Sequence, residues 1–109
     1  MTDETVELTR LLRYDSNPFW KRLRVLLNDK GFDVESCFLA ESCEQGDNSE
    51  FGVVVTRDKE VFEYGFIYQK DPSDGNFGEW NDITQTYSSS PYADSVNIIF
   101  SRIEQSTDG

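Results

Sequence analysis

The chain has 109 residues, 37% apolar and 14% aromatic, which suits one domain with a real core and is too apolar for a disordered tail. It carries 21 acidic and 10 basic residues, no histidine and a net charge of −11. That balance argues against direct binding to a nucleic-acid backbone, which needs clustered Lys and Arg, and removes every histidine-based catalytic or metal site.

From the N-terminus, residues 1–15 hold acids where a secretory leader would hold bases, so a cytoplasmic location is expected. Residues 5–14 predict a short helix with Val6, Leu8, Leu11 and Leu12 available for burial. A second helix over 18–30 is framed by Asn17 as N-cap, Pro18 in the first turn and Gly31 as a left-handed stop. Within it Phe19, Leu23, Leu26, Leu27 and Lys30 recur at helical spacing, leaving Lys21, Arg22 and Arg24 outside.

After Gly31 the period drops to two. Residues 32–40 predict a strand with Phe32, Val34 and Phe38 on one side, followed by a polar loop over 41–50. Residues 51–56 and 61–68 predict two more strands joined by a tight turn at 57–60. In the latter strand Phe62, Tyr64, Phe66 and Tyr68 share one face. Val61, Glu63, Gly65 and Ile67 share the other, which Glu63 marks as the wetter. A loop over 69–76 leads to a fourth strand over 77–84. Gly78, Asn81 and Asp82 disfavour extended structure there, so an irregular loop anchored by Trp80 is the alternative. Ser90, Pro91 and the series Tyr92, Val96, Ile99, Ile103 predict a last helix over 91–104. Residues 1–4 and 105–109 read as frayed.

The order α-α-β-β-β-β-α implies a single α+β domain over 1–109. Its two layers are an antiparallel meander of three to four strands, with two N-terminal helices and one C-terminal helix covering the aromatic face. No apolar run reaches the roughly 18 residues of a membrane-spanning helix, so no membrane partner is expected.

The charge is unevenly placed. Residues 1–31 hold five acids and six bases, whereas residues 32–109 hold sixteen acids and four bases. In a meander the first and third connections share one end of the sheet. That end is expected to gather Glu41, Glu44, Asp47, Glu50, Asp71 and Asp74, with Glu79 and Asp82 as flank. Two unit charges ~7 Å apart oppose each other by roughly 2 kcal/mol before salt screening. The natural use of such a cluster is to meet a positive surface, which makes the expected partner a basic protein. Rim charges contribute little affinity, so an aromatic anchor should sit nearby. Phe77 and Trp80 are the candidates, with core burial as the competing reading. Acidity that only aids solubility, or adapts a binding module to high salt, is the bland alternative.

Chemical sites are not legible. Cys37 and Cys43, the only cysteines, cannot close a tetrahedral zinc site without histidine, and they read as reduced thiols. Counting an EF-hand loop back from Gly46 or Gly75 puts Glu41 or Lys70 at the first ligand position and Cys43 or Pro72 at the third, and neither fits. No phosphate loop or nucleophile elbow is present, and loop carboxylates lack the apolar pocket a catalytic acid needs. Neither a cofactor nor an enzymatic activity is expected.

The stretch from Gly52 to Thr84, GVVVTRDKEVFEYGFIYQKDPSDGNFGEWNDIT, resembles the middle of small acidic bacterial immunity-type proteins. Those proteins neutralise toxins by binding them. The resemblance implies a toxin domain as partner and lends no catalytic residues. Size and acidity also resemble DNA-mimic proteins, for which the partner would be a DNA-binding protein.

Overall fold

A computed structural model describes residues 4–107 and opens on two helices, α1 (Glu4–Tyr14) and α2 (Pro18–Asp29). The Asn17 side chain accepts the Phe19 N–H, and Gly31 stops the helical run at φ +93°, so both ends of α2 form by the devices its sequence carries. Phe19, Leu23, Leu26 and Leu27 are buried, while Lys30 is exposed. In α1 the buried face is Thr5, Thr9 and Leu12, and Val6 is 51% exposed. The expectation for Val6 therefore fails.

Four strands follow, β1 (Cys37–Gly46), β2 (Ser49–Thr56), β3 (Val61–Ile67) and β4 (Asn76–Asp82), in the antiparallel order β1-β2-β3-β4. The fold class is thus the α+β meander with two helices before it and one after. Two boundaries move. Residues 34–36 form a 3-10 turn rather than strand, because the Asp33 carboxylate accepts the Glu35 N–H and bends the chain. Residues 41–50, expected as a loop, are mostly ladder. Only Asp47 and Asn48 turn, both at positive φ (49° and 61°), a two-residue hairpin that Asp and Asn tolerate. The polar run marked an exposed strand end, not a loop. Residues 76–82 are strand despite their weak propensity, because β3 offers them a complete ladder.

The final helix, α3 (Ala93–Thr107), starts with the Ser90 hydroxyl accepting the Tyr92 N–H and runs through residues 105–107, which read as frayed. Residues 1–3 and 108–109, also read as frayed, lie outside the described residues. Its place corrects a further expectation. α1 and α2 pack with Leu39, Val54, Tyr64 and Phe66 on the aromatic face. α3 instead buries Val96, Ile99 and Ile103 against Ala40, Val53, Val55 and Val61 on the opposite face. β-branched residues on alternate positions of β2 and β3 give that face an apolar end, where a helix can land.

The two sheet edges differ. The Leu39 N–H of β1 donates to the buried Thr9 Oγ1 (3.0 Å), and the Arg13 guanidinium donates to Cys37 O (2.9 and 3.1 Å). α1 thereby covers the first part of the outer edge of β1, at Cys37 and Leu39. Among the described residues no strand lies beyond β4.

Candidate protein-binding surface

Register decides which acids share a surface. On the α2 side, Glu44 stands directly opposite Glu50, and Glu50 opposite Phe66. Like charges opposed across a ladder destabilise it. The Glu50 carboxyl is held above its ordinary value, first by burial and then by the charge of Glu44. Behind this pair, Tyr64 is fully buried with its hydroxyl unpartnered, and burial drives its proton-release value far up. The ring fits because Gly52 opposite it has no side chain. A Cβ there would overlap the Tyr64 ring and hydroxyl.

The connections meet at the tip of the sheet, as the meander requires. Tyr68 N–H donates to Asn48 O (3.0 Å) and Asn48 Nδ2 donates to Gln69 O (3.0 Å). Asp47, Asp71 and Asp74 are brought to this end, but they are not equivalent. Asp74 accepts the Gln69 and Lys70 N–H groups (3.1 and 3.4 Å), folding the loop onto itself. Asp71 caps the short 3-10 turn by accepting the Ser73 N–H (2.9 Å), which holds its carboxyl below the usual range. Asp82 is spent likewise on Thr84, whose hydroxyl and N–H lower it. These three shape the backbone. Asp47 makes no such bond among the described residues.

On the α3 side the structure exposes a surface of which charge counting named Glu41 and Glu79 but not Phe51, Glu63 or Ile67. The α3 cluster covers the sheet from Val55 and Val61 as far as Val53, with Phe51 packed partly buried at its margin. Toward the tip the successive cross-strand rows read Glu41, Val53, Glu63, Asn81 and then Cys43, Phe51, Gly65, Glu79. Ile67 stands in the row beyond, opposite Ser49 and Asn76, and is 52% exposed. Phe51, Gly65, Ile67, Gly78 and Glu79 line a shallow cavity of about 480 Å³ on this uncovered half. Tyr92, just before α3, packs against Phe51 with the rings tilted by 35° and their centroids 5.3 Å apart. Burial raises the Tyr92 phenol, with further rise from the charges of Glu63 and Glu41, which the register sets in the row next to Phe51. Glu41 accepts the Ser42 N–H (3.2 Å); Glu63 and Glu79 have no hydrogen-bond or ion-pair partner among the described residues. The period of β3 put Glu63, Gly65 and Ile67 on one side, but nothing local says where α3 stops.

The two expected anchors sit elsewhere. Phe77 and Trp80 are half-buried on the α2 side, 4.9 Å apart, with Trp80 stacked on Phe62 and the Lys30 ammonium 4.9 Å above the indole. They close the core over β4, and the apolar side chains presented with the acids are Phe51 and Ile67.

Among the described residues no ion pair reaches Glu41, Glu63 or Glu79, although Lys70 stands in the tip loop. Arg13, Arg22 and Arg24 donate to backbone carbonyls of Cys37, Gly75, Leu12 and Asp15, while Arg10 pairs with Glu7 and Lys59 with Glu104. Among the described residues no group of three or more His, Cys, Asp or Glu side chains is placed to hold a metal ion, and no helix is long and apolar enough to cross a membrane. Burial pushes the Cys37 thiol up to about 11, which keeps it an inert core thiol. No family model, curated protein or solved structure matches the chain.

Proposed function

We propose that the protein is a non-enzymatic inhibitor that acts in the cytoplasm by binding and neutralising a basic protein, a toxin for which it is the immunity protein. The observation that carries this reading is the uncovered half of the sheet, where Phe51, Gly65 and Ile67 form an apolar strip beside the unpaired carboxylates of Glu63 and Glu79. Carboxylates steer and orient a cationic partner, and the apolar strip supplies the desolvated contact that exposed ion pairs, at about 0.2–1 kcal/mol each, do not. Glu44, Glu50 and Asp47 extend the same negative field around the tip. A toxin that acts on nucleic acid presents a basic site to such a surface. A DNA mimic bound to a DNA-binding protein would draw on the same two contributions, and competition by duplex DNA distinguishes it.

Partner capture from the native cytosol, at low and high salt and with competing duplex DNA, tests the proposal. One tight basic partner that resists both salt and DNA is the expected result. A DNA-binding protein displaced by duplex DNA would establish mimicry instead. Failure to retain any basic protein at low salt would leave the acidity as a solubility device.

A further inference from the structure

The meander leaves two outer edges, and the protein treats them differently. The β1 edge is covered at its start, where Thr9 and Arg13 bind Leu39 N–H and Cys37 O. Along β4, Ile83 N–H donates to Val61 O (2.8 Å), so by the antiparallel alternation Asn81 and Glu79 face β3 while Trp80 and Asp82 turn their N–H and C=O outward. β4 carries neither lysine nor proline, the residues that blunt an exposed edge, and a bulge interrupts its ladder only near Gly78. The chain has no lysine or arginine between Lys70 and Arg102, so β4 and its flanks bring only acids of their own. The cavity over Gly65, Gly78 and Glu79 opens directly onto this edge.

We propose that β4 is a docking edge, to which an extended cationic segment of the partner adds as a fifth strand. The inference rests on the inhibitor reading and specifies how the partner is held. Backbone bonds to Trp80 and Asp82 fix the segment. Alternate side chains then fall on the two faces of the sheet. Those on the α3 side lie beside Glu79, where Lys or Arg matches the charge. Those on the α2 side meet Trp80 beneath the Lys30 ammonium, where a neutral residue fits and a cation does not. Charge selects this occupant over a second copy of the chain. Pairing β4 with its own copy would bring together two strands that each carry Glu79 and Asp82 and no base, which like-charge repulsion disfavours.

The test uses the whole protein and three short peptides. One alternates lysine and threonine, one has the same sequence with its ladder-forming amides N-methylated, and one has glutamate for lysine. Amide hydrogen exchange is read by NMR at low salt. The lysine peptide should slow exchange at Trp80 and Asp82 by about tenfold or more, and the other two should not. Glu79→Lys should reverse the preference between lysine and glutamate peptides, with chemical shifts elsewhere showing that the fold is kept. The proposal is overturned if the two lysine peptides perturb the acidic surface equally without protecting the edge, if no lysine peptide binds, or if the edge amides are already protected by self-association. In each case the inhibitor reading stands or falls separately, on partner capture.

Discussion

Glu50 shows what a single residue contributes beyond its charge. Its carboxyl lies above the ordinary 4.5 through burial and the facing Glu44. The folded state therefore keeps this proton to higher pH than the unfolded chain does. Between the ordinary and the raised value the native state binds more protons, so this group's contribution to stability falls as pH rises through that window. Asp71 and Asp82, both lowered, act with the opposite sign, and their contribution is lost as pH falls. Glu50→Gln isolates the first effect. The variant should match the parent in urea denaturation at about pH 4 and exceed it at about pH 7, by roughly 0.2–1 kcal/mol for relief of an opposed like pair. A difference that does not change with pH would show that Glu44 and burial do not perturb this carboxyl.

At the scale of elements, α1 is held to the sheet by its polar residues as much as by its apolar ones. Thr5 and Thr9 are buried where the apolar spacing favoured Val6, and the Thr9 hydroxyl satisfies an edge amide of β1. Thr9→Val keeps the shape and removes the acceptor, leaving the buried Leu39 N–H unpaired. The expected cost is about 1–3 kcal/mol, with faster exchange of the Leu39 amide, while Thr9→Ser should retain most of the stability. Equal stability of the valine variant would mean that water replaces the hydroxyl at that edge. Hydrophobic periodicity cannot reveal such a contact, because it ranks threonine as a surface residue.

Across the whole molecule, charge and shape are segregated. The N-terminal helices spend Arg13, Arg22 and Arg24 on carbonyls of the fold, Arg22 reaching Gly75 in the tip loop, while Glu63 and Glu79 have no ion-pair partner among the described residues. Reversing Asp71 and Asp74 would confound charge with loop folding, since both hold backbone amides. Glu63→Lys with Glu79→Lys is the cleaner pair, because neither carboxylate supports a hydrogen bond among the described residues. Against the captured partner this double variant should slow association by about tenfold or more at low salt and flatten its salt dependence. Ile67→Ala should act mainly on dissociation. An unchanged association rate with the double variant would place the interface on another face.

What the sequence determined by itself is the set of elements. Asn17, Pro18 and Gly31 delimit α2, the alternation from Val61 to Ile67 divides β3 into two faces, and Ser90 starts the turn that leads into α3. These are local effects, set by dihedral preference and by the period of apolar residues. Short connections also made the meander legible, and with it the meeting of the two acidic turns at one tip. Only the tertiary structure decided that α3 crosses to the face away from α1 and α2 and stops short of Ile67. Only it assigned Asp71, Asp74 and Asp82 to backbone work while leaving Glu63 and Glu79 free. The physical reason is that a helix lands where apolar area is available from strands distant in sequence, and a carboxylate's role depends on which donors lie within about 3 Å of it. Both are long-range facts that no local pattern carries.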